Sequence, residues 1–295
     1  METEQLDSLR ILVVVEDTAP FGSSLLGQHG LALFVEARRR NAVKRLALDV
    51  GQNYSTLRHN MLLLGIEPAQ LDAIVLTHCH YDHTTGLSSL LADTAKKELP
   101  VVAHPETFRP NFVLEPSLRH VGMSKDDLPT NISSSGGRLF LTRDSIPIMP
   151  GLFTTGEVPR VTDFEDTGIV LYTIDSEGNV TLDTMPDDIS LVADIRGRGL
   201  VILTGCSHAG IVNIVKHAMD RWPGRKLEGI IGGFHLINAS EERIKRTIDY
   251  FSEVQPNWVA AGHCTGFKAQ FALYSAFGDR FVPLTCGKQF LIEGG

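Results

Sequence analysis

The chain has 295 residues, 43% hydrophobic and 21% charged, which is long enough to bury a substantial core without staples. A formal net charge of −8 argues against a nucleic-acid-binding surface, because phosphate backbones attract basic faces. The polar start and a first apolar run of only five residues (ILVVV, 11–15) fit neither a signal peptide nor a membrane span. Four cysteines, Cys79, Cys206, Cys264 and Cys286, lack paired spacing, so a reduced, cytoplasmic setting is expected.

In chain order, ILVVV (11–15), LALFVEA (31–37) and KRLALDV (44–50) read as the strands of an opening meander. LDAIVLT (71–77) is a further strand and runs straight into THCHYDHTTGL (77–87). Residues 85–97 place Leu87, Leu90, Leu91 and Ala95 at helical spacing. The stretch at about 108–147 mixes Pro, Asn, Ser and Gly with little periodicity, and reads as a long excursion or lid bordering the site. Strands resume at GLFTTG (151–156), GIVLYTI (168–174), ISLVADI (189–195) and GLVILTG (199–205). A helix is expected at about 211–221, followed by the strand LEGIIGG (227–233). Asn238 or Ser240 can cap the next helix, with Glu241 and Glu242 in its first turn. NWVAAG (257–262) precedes a last helix around 267–277 and two terminal strands. No linker or repeat divides the chain, so a single domain over 1–295 is expected. Strands grouped in each half, with helices between them, imply an α/β (α+β) architecture of two sheets packed face to face and sheathed by helices.

The loop after LDAIVLT carries the chemistry. His78, His80, Asp82 and His83 sit where side chains project from the end of a sheet. Imidazole and carboxylate together suit borderline divalent ions, zinc first, with iron or manganese as alternatives. Within His-x-His-x-Asp-His the first two histidines can close on one ion, while Asp82 and His83 face a second. Two ions about 3.5–4 Å apart share a bridging hydroxide, a strong nucleophile at neutral pH. A surface histidine cluster that binds nothing is the alternative. The strand before the loop and the Gly-containing helix start after it argue against that.

THCHYDHTTGL resembles the signature of the metallo-β-lactamase superfamily, whose fold is a four-layer αββα sandwich. LDVGQNYSTLRHNMLLLGI, TTGEVPR, LTGCSHAGIVNIV, IIGGFHL and AGHCTG extend the resemblance over most of the chain. Together they are similar to one branch of metal-dependent hydrolases, labelled 7,8-dihydropterin-6-yl-methyl-4-(β-D-ribofuranosyl)aminobenzene 5′-phosphate synthase. This chain departs from that branch at Asp49-Val50-Gly51, where Asp-Thr-Gly is usual, and at Thr85-Gly86-Leu87, where Gly-Gly-Leu is usual. The resemblance implies that His263, in AGHCTG, joins Asp82 and His83 on the second ion. For the third ligand of the first ion it leaves two candidates. Relatives use a histidine after a Thr-Pro-Gly-like turn, where this chain offers Glu157, and His208 in TGCSHAG also follows a strand end. His208 is favoured, because imidazole matches His78 and His80, which leaves Glu157 as a supporting group, a weak ligand or a salt-bridged turn residue. Cys206 falls where relatives carry a bridging Asp or a Cys ligand. It is read as either a thiolate ligand or a small buried residue. Cys79 and Cys264 are read as packing residues.

His235 closes LEGIIGG at the sheet end where ligands should converge. It is a candidate substrate hydrogen-bond partner or proton donor, the alternative being a satisfied core histidine. His29, His59, His104, His120 and His217 have no comparable context. The expected activity is a dinuclear metal-dependent hydrolase acting on a phosphate-containing or acyl small molecule that is anionic, with Asp82 also orienting the hydroxide. The branch label implies an alternative, a pterin-type synthase forming a C–N bond with loss of pyrophosphate. A non-catalytic metal-binding or sensor module would lack ligands, and none is missing. The di-iron flavoenzymes of the superfamily carry Glu in place of the second histidine, whereas this chain keeps His80. Neither nucleic acid nor membrane is expected as a partner.

Overall fold

The computed structural model describes residues 5–295. The first sheet has seven strands, in the spatial order Gln289–Glu293, Ser8–Val15, Ala32–Arg39, Ala42–Leu48, Ala73–Val75, Leu99–Ala103 and Gly137–Leu141. The second also has seven: Phe281–Pro283, Trp258–Gly262, Leu227–Gly233, Gly199–Leu203, Leu191–Ile195, Leu152–Thr154 and Pro147–Met149. The alternation of strand side chains shows how the layers stack. Leu9, Ile11 and Val13 pack against Leu191, Ala193, Ile195, Val201 and Leu203 of the other sheet. Their neighbours Leu12 and Val14 face outward, onto Leu57 and Met61 of helix Tyr54–Leu63 and Leu87, Leu90 and Leu91 of helix Leu87–Thr94. In the second sheet Leu200 and Ile202 face helices Ile211–Arg221, Glu241–Val254 and Phe267–Phe277. Both sheets are therefore covered on both faces, and the chain forms the expected four-layer αββα sandwich. This is why ILVVV and GLVIL are continuously apolar rather than alternating.

Several local expectations shift. The helix expected over 85–97 runs only Leu87–Thr94. Gly86 enters it at φ 102° and Ala95 leaves it at φ 52°, while the distant Asp127 carboxylate accepts from Gly86 N (3.0 Å) and Ser88 N (2.7 Å). Ser240 is the cap of the next-to-last helix, accepting from Arg243 N. Helix Tyr54–Leu63, capped by Asn53, lies inside a block that carried no helical expectation. The 108–147 stretch divides. Gly137–Leu141 pairs in parallel with Leu99–Ala103 as the sheet edge, and Pro129–Ser134 is a short helix. Phe112–Val113 and Arg119–His120 join a third, four-stranded sheet with Tyr172–Ile174 and Val180–Leu182, so GIVLYTI contributes there and not to the sandwich. Among the described residues no helix is long and apolar enough to cross a membrane.

A buried side chain, Asn60, helps tie the irregular segment 16–30 to this frame. Asn60 Nδ2 donates to Val14 O (2.8 Å) and Leu26 O (2.9 Å), and its Oδ1 accepts from Leu26 N (2.9 Å). Leucine has nearly the same shape and none of these groups. Asn60→Leu is expected to destabilise the protein by ~1–3 kcal/mol per group left unpaired. Amide exchange should accelerate within 16–30 before it does elsewhere, as read by mass spectrometry alongside a denaturant titration. Unchanged protection of that segment would refute the tether.

Candidate metal centre

The strands Ala42–Leu48, Ala73–Val75 and Leu99–Ala103 are parallel, as are Gly199–Leu203, Leu227–Gly233, Trp258–Gly262 and Phe281–Pro283. Carboxyl ends of such strands are where open α/β sheets place ligands. His78, His208, His235 and His263 each follow one of these ends. The turns there are tight: Asp49, Ser207, His235 and His263 are all non-glycine residues at positive φ (60°, 62°, 43° and 49°), a backbone state held only where surroundings enforce it.

His78, His80 and His208 bring donor atoms within 4.8 Å of one another, and all three are buried. Their hydrogen bonds fix the tautomers. His208 Nδ1 donates to Thr167 O (2.8 Å), a carbonyl that can only accept. Asn111 Nδ2 donates to Asp183 Oδ2 (2.8 Å), which turns Asn111 Oδ1 toward His80 Nε2 as an acceptor (3.2 Å). Thr77 Oγ1 donates to Asp49 Oδ2 (2.7 Å) and so accepts from His78 Nδ1 (2.9 Å). The inner nitrogens, His78 Nε2, His80 Nδ1 and His208 Nε2, are left bearing lone pairs. Burial, reinforced by the neighbouring imidazoles, holds His78 and His208 well below the ordinary histidine pKa, and burial takes His80 down to about 4.

A second group, Asp82, His83, Cys206 and His263, adjoins the first, again with donors within 4.8 Å. His83 Nδ1 donates to Asp49 Oδ2 (2.7 Å), and His263 Nδ1 to Asp17 Oδ1 (2.8 Å). Their Nε2 atoms then reach Asp82 Oδ2, at 3.5 Å and 3.2 Å. His83 Nε2 also lies 3.1 Å from Cys206 Sγ. Electrostatics here runs opposite to the first group. Against the burial that disfavours charge, Asp82 and Asp49 raise the pKa of His83. Cys264, Asp17 and Asp82 likewise push His263 well up. Asp82, despite its own burial, is held well down by His83 and His263.

These donors fit cations. His80 Nδ1 and His208 Nε2 face each other at 3.1 Å with both outer nitrogens already donating, so two lone pairs confront one another. The buried His78 Nε2 and His263 Nε2 have no hydrogen-bond partner. A positive ion between such atoms turns repulsion into coordination, and the outer bonds to carboxylates and carbonyls orient the rings for it.

His235 lies against His208, ring centroids 4.2 Å apart, and within reach of Cys206, with neither ring nitrogen hydrogen-bonded. Gly168, at φ 81°, seats its ring, since a Cβ there would overlap the imidazole. Gly168 also lines a cleft of about 440 Å³, together with Thr167, Ile169, Val170, Leu171 and Leu182 and the charged Arg160 and Asp183. Glu157 stands outside both groups. Half-exposed, it pairs with Arg143 Nη1 (3.0 Å) and His104 Nε2 (3.3 Å), the salt-bridged turn residue among its three readings. Cys79 packs with Val121, Leu171 and Met185, and Cys264 Sγ lies 3.6 Å from Cys206 O. Sequence reasoning missed Asp17 and Asp49, the partners of His263 and His83. Asp49 shows only within the departure Asp-Val-Gly, and Asp17 lies in a segment without a motif.

A family model described as a beta-lactamase superfamily domain matches residues 47–136. The sequence is 37% identical over 291 residues, 98% of each chain, to the 7,8-dihydropterin-6-methyl-4-(beta-D-ribofuranosyl)-aminobenzene-5'-phosphate synthase of Methanocaldococcus jannaschii. It is 32% identical over 262 residues to an uncharacterized protein of the same organism, covering 88% of this chain and 91% of that one. The crystal structure of a metal-dependent hydrolase of the beta-lactamase superfamily shares the fold at TM-score 0.77 and 23% identity, covering 97% of this chain and 99% of that one.

The opposed pKa shifts predict opposed pH dependences. Ion-free His83 and His263 sit above the ordinary value and hold protons that a cation must displace, so the second group loses affinity as pH falls. The first group is already unprotonated near neutrality and keeps its affinity until pH approaches about 4, where His80 titrates. His208→Ala isolates the second group and His263→Ala the first. Between about pH 8 and about pH 6, zinc affinity measured by chelator competition should fall up to ~tenfold per pH unit per displaced proton in His208→Ala, and stay nearly flat in His263→Ala. Parallel slopes would contradict the assignment.

Proposed function

The chain belongs to the metallo-β-lactamase superfamily, and from that premise we propose that it is a dinuclear metal-dependent hydrolase of a small anionic substrate carrying a phosphate or acyl group. The reading rests on one observation: two adjoining sets of buried metal-seeking donors at the carboxyl ends of the strands, in the first of which the lone pairs of His80 Nδ1 and His208 Nε2 confront each other. His78, His80 and His208 would hold one cation, and Asp82, His83 and His263 the other, with Cys206 between them. Zinc suits this mixture of imidazole, carboxylate and thiol, and iron or manganese remain compatible. When bound, such ions supply Lewis acidity and a water acidic enough to attack near neutral pH.

The protein's own groups do the rest. Asp82 presents its carboxylate to His83 and His263 and can align the attacking water. His235, buried and unpartnered beside His208, can donate to the developing oxyanion or hand a proton to the leaving oxygen. The cleft beside Gly168 offers an apolar wall to the uncharged part of a substrate. The acidic whole, with net charge −8, disfavours nucleic acid as substrate, and the bound cations would supply the local attraction for an anion. We place the enzyme in the cytoplasm, acting on soluble metabolites away from membranes.

The 37% identical relative named as a synthase favours a second reading. In it such ions, when bound, would supply positive charge for the pyrophosphate leaving group of an activated pterin. An arylamine nitrogen would form the C–N bond at the carbon whose C–O bond to pyrophosphate breaks, with the amine proton released to solvent. Both readings need Lewis acids facing an anionic oxygen, so the product decides between them. Phosphodiesters, esters, lactones and thioesters, and separately a dihydropterin diphosphate with an arylamine, should be assayed with and without chelator. Hydrolysis that chelator abolishes and zinc restores supports the first reading, and pyrophosphate release dependent on the arylamine supports the second. Turnover insensitive to chelator would refute both. His235→Gln is expected to lower kcat by ~10²–10⁴-fold while metal content stays at the wild-type level. A wild-type rate in that variant would remove His235 from the chemistry.

A further inference from the structure

His29 belongs to no motif and sits on the irregular segment between the first two strands of the chain, with its side chain 52% exposed. Its ring nevertheless reaches the second donor group. His29 Nε2 lies 3.4 Å from Asp82 Oδ2, the atom that His263 Nε2 approaches at 3.2 Å and His83 Nε2 at 3.5 Å. Three imidazole nitrogens thus surround one carboxylate oxygen.

The outer nitrogens explain how this arrangement is held. A single carboxylate, Asp17, takes both rings on the exposed side: Oδ1 accepts from His263 Nδ1 at 2.8 Å and Oδ2 from His29 Nδ1 at 3.3 Å. Oδ1 also accepts from Gly30 N at 3.2 Å, which fixes the chain next to His29. The two rings lie with centroids 4.9 Å apart, tilted by 40°. With Nδ1 of His29 turned to Asp17, its Nε2 is the atom that faces Asp82, the same placement as in His83 and His263, whose Nδ1 atoms also meet carboxylates. Independently, His263 Nε2 is buried without a hydrogen-bond partner and aims into the same space.

We propose that His29 is an additional protein ligand of the second cation, positioned by Asp17 and closing that site on its solvent side. The inference rests on the dinuclear reading above. It also divides the work between the two positions. With His29 added to Asp82, His83 and His263, the second position would offer a cation four protein donors, the number that structural zinc sites use. The first, with His78, His80 and His208, would offer three, the number that catalytic zinc sites use.

Cobalt(II) provides the test, because its visible absorption weakens when a tetrahedral site changes its coordination. Apoprotein should be titrated with cobalt(II) alone, following heat and absorbance, for the wild type, His29→Ala, His29→Asp, Asp17→Asn and His59→Ala. His59 holds the same segment through Ser24 O (2.9 Å) but has no part in the centre, so it controls for disturbance of the loop. The expected result is two ions in the wild type and a second-site affinity lower by ~10–100-fold or more in His29→Ala, with weaker absorption from that ion alone. Asp17→Asn should show a smaller loss, His29→Asp partial recovery, and His59→Ala the wild-type titration. Two ions with unchanged affinity and spectrum in His29→Ala would overturn the inference and leave the dinuclear reading standing. An equal loss in His59→Ala would also overturn it, by showing that loop disorder alone is responsible. Fewer than two ions in the wild type would remove the reading and the inference together.

Discussion

Six imidazole rings crowded together are the constraint on which this site depends. His78, His80, His83, His208, His235 and His263 form contacting pairs with centroids 4.2–5.3 Å apart. So many rings cannot all carry protons in a dry interior, since like charges at such separations repel by several kcal/mol at an effective dielectric of about 20. The protein resolves this by position. Rings with only carbonyl, amide or hydroxyl partners are driven neutral by burial, while those over carboxylates keep their protons until a cation replaces them. Asp49 has a central part, because it reaches both sets: His83 directly and His78 through Thr77.

That electrostatic division maps onto the architecture. The first sheet supplies the loop after Ala73–Val75, and the second supplies the turns after Gly199–Leu203, Leu227–Gly233 and Trp258–Gly262. Neither sheet alone completes a set of donors, so the site exists only because the inter-sheet core aligns the two edges. The positive-φ residues at these ends are the local expression of that demand. The chain turns sharply enough to aim a side chain back over the strand it has just left, and the packed sandwich holds it there.

The sequence reveals the parts that depend on local spacing. THCHYDHTTGL is legible because four donors lie within six residues, and the layered fold is legible because both-faced burial leaves apolar runs such as ILVVV and GLVIL. His208 and His263 are legible through the strands they terminate. His29 and Asp17 are not, since the segment that carries them is assembled by remote contacts: Asn60 beneath it and Glu16, whose Oε1 accepts from His263 N at 2.7 Å. The Gly137–Leu141 strand is hidden for another reason. Being an edge, it is mostly exposed, so its residues lack the apolar rhythm that marks the interior strands. Glu157 shows the limit of a matching position, because spacing alone leaves three readings open and only the neighbouring Arg143 and His104 show the salt-bridged one.

The third, small sheet ties two properties together. Asn111, next to its strand Phe112–Val113, is the residue that holds His80 Nε2, and Asn111 is itself held by Asp183. Arg109, two positions earlier, clamps Asp183 and Asp187, and Asp187 in turn holds the backbone of Cys79 between the two leading histidines. Asp183, which lines the cleft, is therefore also part of the brace for the histidine loop. A substitution at Asp183 alters the cleft wall and the bonds to Asn111 and Arg109 at once, so within this architecture the shape of the cleft and the set of the histidine loop are inherited as one trait.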